Sequence, residues 1–140
     1  MAENRALRKI NVAKTEVTDK VCGKISIFLQ QKDLRLAELN LSRNQISADG
    51  LIALAEALQV NHSLKILNLS QNFIREGGID VLVTALNRNT CLQELLLSLN
   101  KINNTGISAL SGFLATNHTL KILDLSKNTF SDTGFVDFAK

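Results

Sequence analysis

Hydrophobic and polar positions along the chain follow a pattern that repeats every 28 residues. Four segments fit the template LxxLxLxxNx(I/F), namely LAELNLSRNQI at 36–46, LKILNLSQNFI at 64–74, LQELLLSLNKI at 92–102 and LKILDLSKNTF at 120–130. The same period carries Gly50, Gly78, Gly106 and Gly134 at one phase. Self-similarity at a fixed period of this length is the signature of a solenoid built from tandem repeats.

A weaker unit precedes these four. The segment LRKINVAKTEV at 7–17 fits the template with Thr15 in place of the asparagine, and it is one residue longer than the others. Terminal repeats of a solenoid are commonly atypical. We therefore predict one domain over residues 1–140: a degenerate capping repeat at 7–35, repeats at 36–63, 64–91 and 92–119, and a truncated repeat at 120–140.

Each unit predicts a strand followed by a helix. The L-x-L alternation has period two, which is typical of a strand with its leucines on one face. After the asparagine the apolar positions recur every three or four residues, as in Ile46, Leu51, Leu54 and Leu58, which indicates one stripe of a helix. Ser47, Asn103 and Ser131 occupy the expected N-cap position, whereas Arg75 breaks that pattern.

Two sets of asparagines recur with the repeat. Asn44, Asn72, Asn100 and Asn128 follow the strands. Because their amides can both donate and accept, we expect them to satisfy backbone groups of their own turn and of the next repeat, and to form a ladder inside the solenoid. Asn61, Asn89 and Asn117 follow the helices, where we expect a left-handed turn.

The spacing of the elements predicts curvature. Parallel strands stack at about 4.8 Å, while packed helices need roughly 8–10 Å. The helical side is therefore longer, and the fold class is α/β: a short right-handed solenoid with its parallel sheet on the concave face and its helices on the convex face.

Composition narrows the possible classes of protein. The chain has 24 leucines and 14 asparagines among 140 residues, and it lacks proline, tyrosine and tryptophan. It contains no apolar run long enough to span a membrane and no apolar stretch of a secretion signal near its start. We expect a cytoplasmic protein with free thiols at Cys22 and Cys91, and no membrane partner.

The repeats resemble a known family. The consensus LxxLxLxxNxIxxxGxxxLxxxLxxNxx is similar to the leucine-rich repeats of the ribonuclease-inhibitor class, and LQVNHSL, LNRNTCL and LATNHTL resemble the repeats of NOD-type innate receptors. The resemblance implies protein binding on the concave face and, in some members, inhibition of an enzyme whose active site is covered. Small bacterial effectors also carry such repeats; for an effector, delivery to the host cytosol would follow a non-Sec route.

Strand positions between the leucines should face solvent in columns across the sheet. One column runs Lys9, Glu38, Ile66, Glu94, Ile122, and the next runs Asn11, Asn40, Asn68, Leu96, Asp124. Apolar residues in such positions, surrounded by charge, are typical of a protein-binding site. The predicted partner-binding residues are Glu38, Asn40, Arg43, Ile66, Asn68, Phe73, Glu94, Leu96, Leu99, Ile122, Asp124 and Lys127.

Other functions find little support in the sequence. It contains no phosphate-binding loop, nucleophile motif or metal-ligand motif, so we expect no enzyme activity, small-molecule substrate, metal or cofactor. Residues 1–35 carry eight basic and four acidic residues, but the absence of aromatic platforms argues against nucleic acid. The alternative to partner binding is self-assembly through the truncated last repeat, where Phe130, Phe135 and Phe138 lie near an open end.

Overall fold

Each L-x-L segment forms a three-residue strand, and each apolar stripe after it forms a helix. The computed structural model describes residues 5–138, apart from the side chains at 76 and 137; the ends of the predicted domain at 1–4 and 139–140 lie outside this range. The strands are β1 (Lys9–Asn11), β2 (Glu38–Asn40), β3 (Ile66–Asn68), β4 (Glu94–Leu96) and β5 (Ile122–Asp124). The helices are α1 (Asp19–Leu29), α2 (Ala48–Leu58), α3 (Glu76–Leu86), α4 (Asn104–Leu114) and α5 (Asp132–Phe138).

The five strands form one parallel sheet in the order of the chain. From β2 onward each strand pairs with the next in the register that the 28-residue period predicts, so that Leu39, Leu67, Leu95 and Leu123 lie side by side. The pairing of β1 with β2 is offset by 29 residues, as the longer first unit predicts. Helices likewise contact only the helix before and the helix after them. The predicted α/β solenoid is confirmed.

Leucines of the template fill a single core between sheet and helices. Leu36, Leu39 and Leu41 of the second repeat are buried, together with Leu51 and Leu54 of its helix. In the last repeat the equivalent Leu120, Leu123 and Leu125 are only partly buried, since no described repeat packs beyond them. Burial on both sides therefore makes the middle repeats the most stable part of the stack.

From β2 onward, the asparagine after the strand forms the predicted ladder, but it joins its own repeat to the one before and not to the next one. Asn72 accepts a hydrogen bond from the Ile46 N–H at 3.0 Å. Its amide nitrogen donates to the carbonyls of Leu41 at 3.1 Å and Leu69 at 3.0 Å. Asn44, Asn100 and Asn128 make equivalent bonds. The asparagine side chain therefore supplies hydrogen bonds between repeats at the turn that follows the strand.

Asn72→Ala should lower the free energy of unfolding by roughly 2–4 kcal/mol, because buried backbone groups at Ile46, Leu41 and Leu69 lose their partner. Urea denaturation measures the change. Asn87→Ala is the matched control: Asn87 is exposed, and its loss should change stability by less than about 0.5 kcal/mol. Equal losses for the two variants would contradict the structural role of the ladder.

A second asparagine ladder follows the helices, and here the sequence-based expectation of a left-handed turn was wrong. Asn61 is buried and lies outside the left-handed region. Its Oδ1 accepts from the N–H groups of Ser63 and Leu64, and its Nδ2 donates to the Leu29 carbonyl of the preceding repeat at 2.9 Å. Asn89 repeats this arrangement with Leu58. These residues tie the loops at the opposite end of the sheet.

Left-handed backbone occurs instead at the turn just after each strand. Lys14, Arg43, Gln71, Leu99 and Lys127 all have φ between 54° and 57°. The turn is held by bonds between repeats, such as the Arg43 N–H to the Ser70 carbonyl at 2.9 Å. None of the five is glycine, so nothing in their residue type indicated this conformation.

The repeated glycine allows the first turns of neighbouring helices to approach closely. A Cβ on Gly78 would lie 3.0 Å from Leu51 Cδ2 and 3.1 Å from Ala48 Cα, on the preceding helix. Gly77, one residue earlier, has open space around the same position. The conserved phase of the glycine within the repeat therefore follows from packing between helices.

Gly77→Ala and Gly78→Ala should change stability in opposite directions. Alanine at 77 meets no neighbour and should raise the free energy of unfolding by about 0.5 kcal/mol through helix propensity. Alanine at 78 must displace Leu51 or the backbone at Ala48 and should lower it by about 1–3 kcal/mol. Thermal unfolding followed by circular dichroism separates the two. Stabilisation by both variants would refute the close approach.

Helix N-termini are closed by different groups in different repeats. Ser47 accepts from the Asp49 N–H, and Asn103 accepts from the Gly106 N–H, as the sequence predicted. Arg75 provides no side-chain cap. The predicted cap Ser131 donates its own N–H to Asn104 Oδ1 at 2.9 Å, a link to the preceding helix.

Candidate protein-interaction surface

The register of the sheet places the predicted columns side by side. Glu38 pairs with Ile66, Ile66 with Glu94, and Glu94 with Ile122. Leu96 lies between Asn68 and Asp124 in the next column. We call these ten positions the strand face: Lys9, Asn11, Glu38, Asn40, Ile66, Asn68, Glu94, Leu96, Ile122 and Asp124.

A shallow hollow of about 170 Å³ lies in the strand face. Ile66 and Leu96 form part of its wall and are themselves only partly buried. Asn40 and Asn68, from the same column as Leu96, line it as well. At one side Lys9 Nζ lies 2.7 Å from Glu38 Oε2, so this rim of the hollow carries an ion pair. The hollow thus combines an apolar wall with a charged border.

Polar side chains in the second column are held in fixed orientations. Asn40, Asn68 and Asp124 each accept a hydrogen bond at 3.0 Å from the N–H two residues ahead, in Ser42, Ser70 and Ser126. The bonds from the Ser126 backbone and hydroxyl, with a smaller contribution from Ser98, lower the pKa of Asp124 below its usual range. These hydrogen bonds give the second column a structural role, in addition to the predicted role in partner binding.

Leu96 is the exception in this column. Where its neighbours carry an oxygen that accepts from the backbone, leucine offers only carbon, so the repeat of β4 lacks this turn bond. The local loss of a hydrogen bond is accompanied by an apolar side chain turned to the strand face. Leu96 is on the strand face and not in the core, so packing of the core does not account for a leucine at this position.

Four of the predicted partner-binding residues lie beyond the strands, at the end where the strands point. They belong to two further columns, one made by the left-handed turn residues and one made by the residues two positions later. We call these ten positions the carboxyl rim: Lys14, Glu16, Arg43, Gln45, Gln71, Phe73, Leu99, Lys101, Lys127 and Thr129. Phe73 is 50% exposed and Leu99 40% exposed. The predicted set thus contains eight strand-face residues and four carboxyl-rim residues.

Eight positions in these surfaces were absent from the predicted set, and two of them place a charged side chain against a predicted residue. Lys9 forms the ion pair beside the hollow, and Lys101 Nζ lies 5.8 Å from the centre of the Phe73 ring, within the range of a cation–π contact. Lys9 stood in a recognised column, so its position was available from the sequence. Lys101 shares its column with Phe73, which was predicted by itself; reading that column across the repeats would have found Lys101.

Both cysteine thiols have a raised pKa. Cys22 and Cys91 are free, and burial raises the pKa of Cys22 to about 12, with a further contribution from Asp19. Burial also raises the pKa of Cys91. Among residues 5–138, no three histidine, cysteine or acidic side chains gather as metal ligands. In the same part of the chain, no helix has the length and apolar character needed to cross a membrane.

Sequence and structure comparisons identify the family. The Leucine Rich repeat family matches residues 36–55, 60–83, 88–111 and 116–139. With these four matched repeats and the parallel strand–helix units, the chain belongs to the leucine-rich-repeat family, in its ribonuclease-inhibitor-like class. No curated protein matches it in sequence.

Solved structures share the fold at low sequence identity. A structure described as leiomodin-1 actin-binding site 2 superposes with a TM-score of 0.84 at 22% identity, covering 97% of this chain and 78% of that one. The tropomodulin C-terminal domain of Caenorhabditis elegans gives 0.76 at 15% identity, covering 97% and 82%. An internalin (InlF) of Listeria monocytogenes gives 0.60 at 23% identity, covering 97% and 34%.

Proposed function

We propose that this protein is a non-enzymatic interaction module that binds a protein partner on its strand face. The observation that carries the proposal is the hollow lined by Ile66 and Leu96. It combines half-buried apolar side chains with an ion pair at its border, which is the arrangement of an interface core and its rim. A side chain of the partner would fill the hollow and lose its contact with water.

The dimensions favour a protein over a small molecule. Pockets for small ligands commonly enclose about 300–1,000 Å³, whereas the hollow holds about 170 Å³ and opens on a broad sheet. The acceptor oxygens of Asn40 and Asn68 are already bound to the backbone, so they are less available to orient a small substrate. A broad face with one anchoring hollow suits a protein surface.

Related folds support the class of function. The leiomodin-1 structure is named for an actin-binding site, and it shares the fold of this chain along nearly its whole length. Identity of 22% transfers no contact residue. Actin is therefore a named candidate for a binding experiment, and a partner enzyme inhibited through this face is the more specific form of our proposal.

Ile66→Asp and Leu96→Asp should each weaken partner binding by roughly 2 kcal/mol, about 30-fold, because a carboxylate would be buried in the hollow. The measurement is capture on immobilised protein, with purified actin and total protein extract applied separately. Ile27→Asp is the control, since Ile27 is 65% exposed on helix α1. It should retain the captured proteins.

Loss of binding is informative only if the variant is folded, so the circular dichroism spectrum of each variant is compared with that of the wild type. A partner retained equally by wild type, Ile66→Asp, Leu96→Asp and Ile27→Asp would contradict the strand-face proposal. An activity assay on a captured enzyme then tests inhibition: addition of wild-type protein should reduce turnover, and the Ile66→Asp variant should not.

Self-assembly is the second candidate function, and the apolar surface of the last repeat favours it. Phe135 and Val136 are each 56% exposed. A groove of about 310 Å³ beside them is lined by Leu123, Leu125, Phe130 and neighbouring side chains. The outer edge of β5 has no partner strand among residues 5–138. Exposed apolar surface next to an open strand edge promotes association.

If assembly is the function, light scattering should show an average mass that rises with protein concentration, and Phe135→Asp should abolish the rise. Phe135 stacks on Phe138 with ring centres 6.0 Å apart, so the melting temperature of the variant must be measured as well. Ile27→Asp should associate as the wild type does. A constant monomer mass over the whole concentration range would rule out this function.

A further inference from the structure

Charge is divided unequally between the strand face and the carboxyl rim. The ten strand-face positions hold one cation, Lys9, and three carboxylates. The ten rim positions hold four cations, Lys14, Arg43, Lys101 and Lys127, and one carboxylate, Glu16. The boundary falls just after the strands, so a strand face of net negative charge adjoins a carboxyl rim of net positive charge.

The rim cations are available for binding. All four side chains are exposed, and none pairs with a carboxylate in the part of the chain that the structure describes. Backbone hydrogen bonds between repeats set the spacing of the turns that carry them: the Lys14 and Arg43 N–H groups donate to the Ser42 and Ser70 carbonyls at 3.0 and 2.9 Å. Ser126, next to Lys127, accepts from the Leu99 N–H at 2.9 Å. An ordered row of cations without internal partners attracts an anion.

Apolar side chains interrupt the row of cations. Leu99 occupies the turn position between Gln71 and Lys127, and Phe73 lies in the adjoining column with Lys101 over its ring. Both are exposed. An inorganic anion or a phosphate backbone gains little from a leucine, whereas an apolar side chain of a peptide gains by covering it.

We propose that the carboxyl rim binds an acidic protein segment in extended conformation, with an apolar side chain between two carboxylates. Arg43 and Lys127 are three repeats apart, about 14 Å at the usual strand spacing. An extended chain advances about 3.3 Å per residue, so carboxylates at positions i and i+4 reach both cations. The side chain at i+2 lies on the same face and meets Leu99 and Phe73.

Nucleic acid fits the rim less well. The rim contains one exposed aromatic ring, Phe73, whereas binding of single strands relies on several stacking platforms. A phosphate backbone longer than the rim would also reach the carboxylates Glu94 and Asp124 on the strand face. A short acidic segment remains within the cationic columns and avoids this repulsion.

The test is a titration of ¹⁵N-labelled full-length protein with a 12-residue peptide that contains Asp-Ser-Leu-Ser-Asp. Binding is measured by the changes in the chemical shifts of the backbone amides. We expect the shifts to concentrate at Leu99, Lys101 and their neighbours in the rim. Binding should weaken as salt is raised. A peptide with serine in place of the leucine should bind less tightly, because it cannot cover Leu99 and Phe73.

The variant Arg43→Glu with Lys127→Glu should reduce affinity for this peptide by about tenfold, since two attractions become repulsions. Its matched control is Lys65→Glu with Lys121→Glu, which makes the same change in charge on exposed lysines outside the rim and should leave binding unaltered. Ile66→Asp should also leave it unaltered, so the rim is tested separately from the strand-face function.

Three results would overturn the proposal. The first is equal weakening by the two charge-reversed variants, which would show attraction to net charge alone. The second is a titration in which the amide chemical shifts of the rim residues do not change while the spectrum still shows a folded protein. The third is tighter binding of a 12-nucleotide oligothymidylate at the same amides, which would assign the rim to nucleic acid.

Discussion

The structure depends on hydrogen bonds that a single repeat cannot make by itself. Asn72 closes the turn of its own repeat through Leu69 and, with the same amide, bonds the Leu41 carbonyl of the repeat before it. Asn61 and Asn89 do the equivalent at the opposite end of the strands. The same side chains therefore fix the turn within a repeat and the stacking of that repeat on its neighbour. The binding surfaces inherit their regular spacing from it, because each exposed column stands on a strand or turn fixed by these amides.

Leucine spacing was sufficient to predict the strands, the helix stripes and the register. Leu39 and Leu67 pair as the 28-residue period requires, since alternation by two leaves no freedom in which side chains face the core. The helix-following asparagines were misassigned for a physical reason. Asn61 sits where asparagine commonly adopts a left-handed turn, but it bonds the Leu29 carbonyl, a group in another repeat that no local pattern reveals.

Strand alternation was sufficient to place the strand residues of the candidate site, but it did not give the backbone conformation beyond them. Strand alternation placed Ile66 and Leu96 on one face, and both line the hollow. Past the strands, the direction of a side chain depends on the left-handed turn at Arg43 and Leu99. These residue types carry no signal for that conformation, unlike glycine. Phe73 and Leu99 were grouped with the strand residues in one predicted patch, and the left-handed conformation of the turn that carries Leu99 became visible only in the folded backbone.

Contacts between elements run solely from each repeat to its immediate neighbours. Small displacements at successive junctions therefore add along the stack, because no element of the first repeat contacts the last one within residues 5–138. A small change of angle at each junction leaves adjacent strands, such as those bearing Ile66 and Leu96, almost undisturbed. The same change accumulates between Lys9 and Ile122 at opposite edges. A partner that spans the whole sheet thus meets a surface whose curvature can adjust, while one that grips two neighbouring strands meets a rigid one.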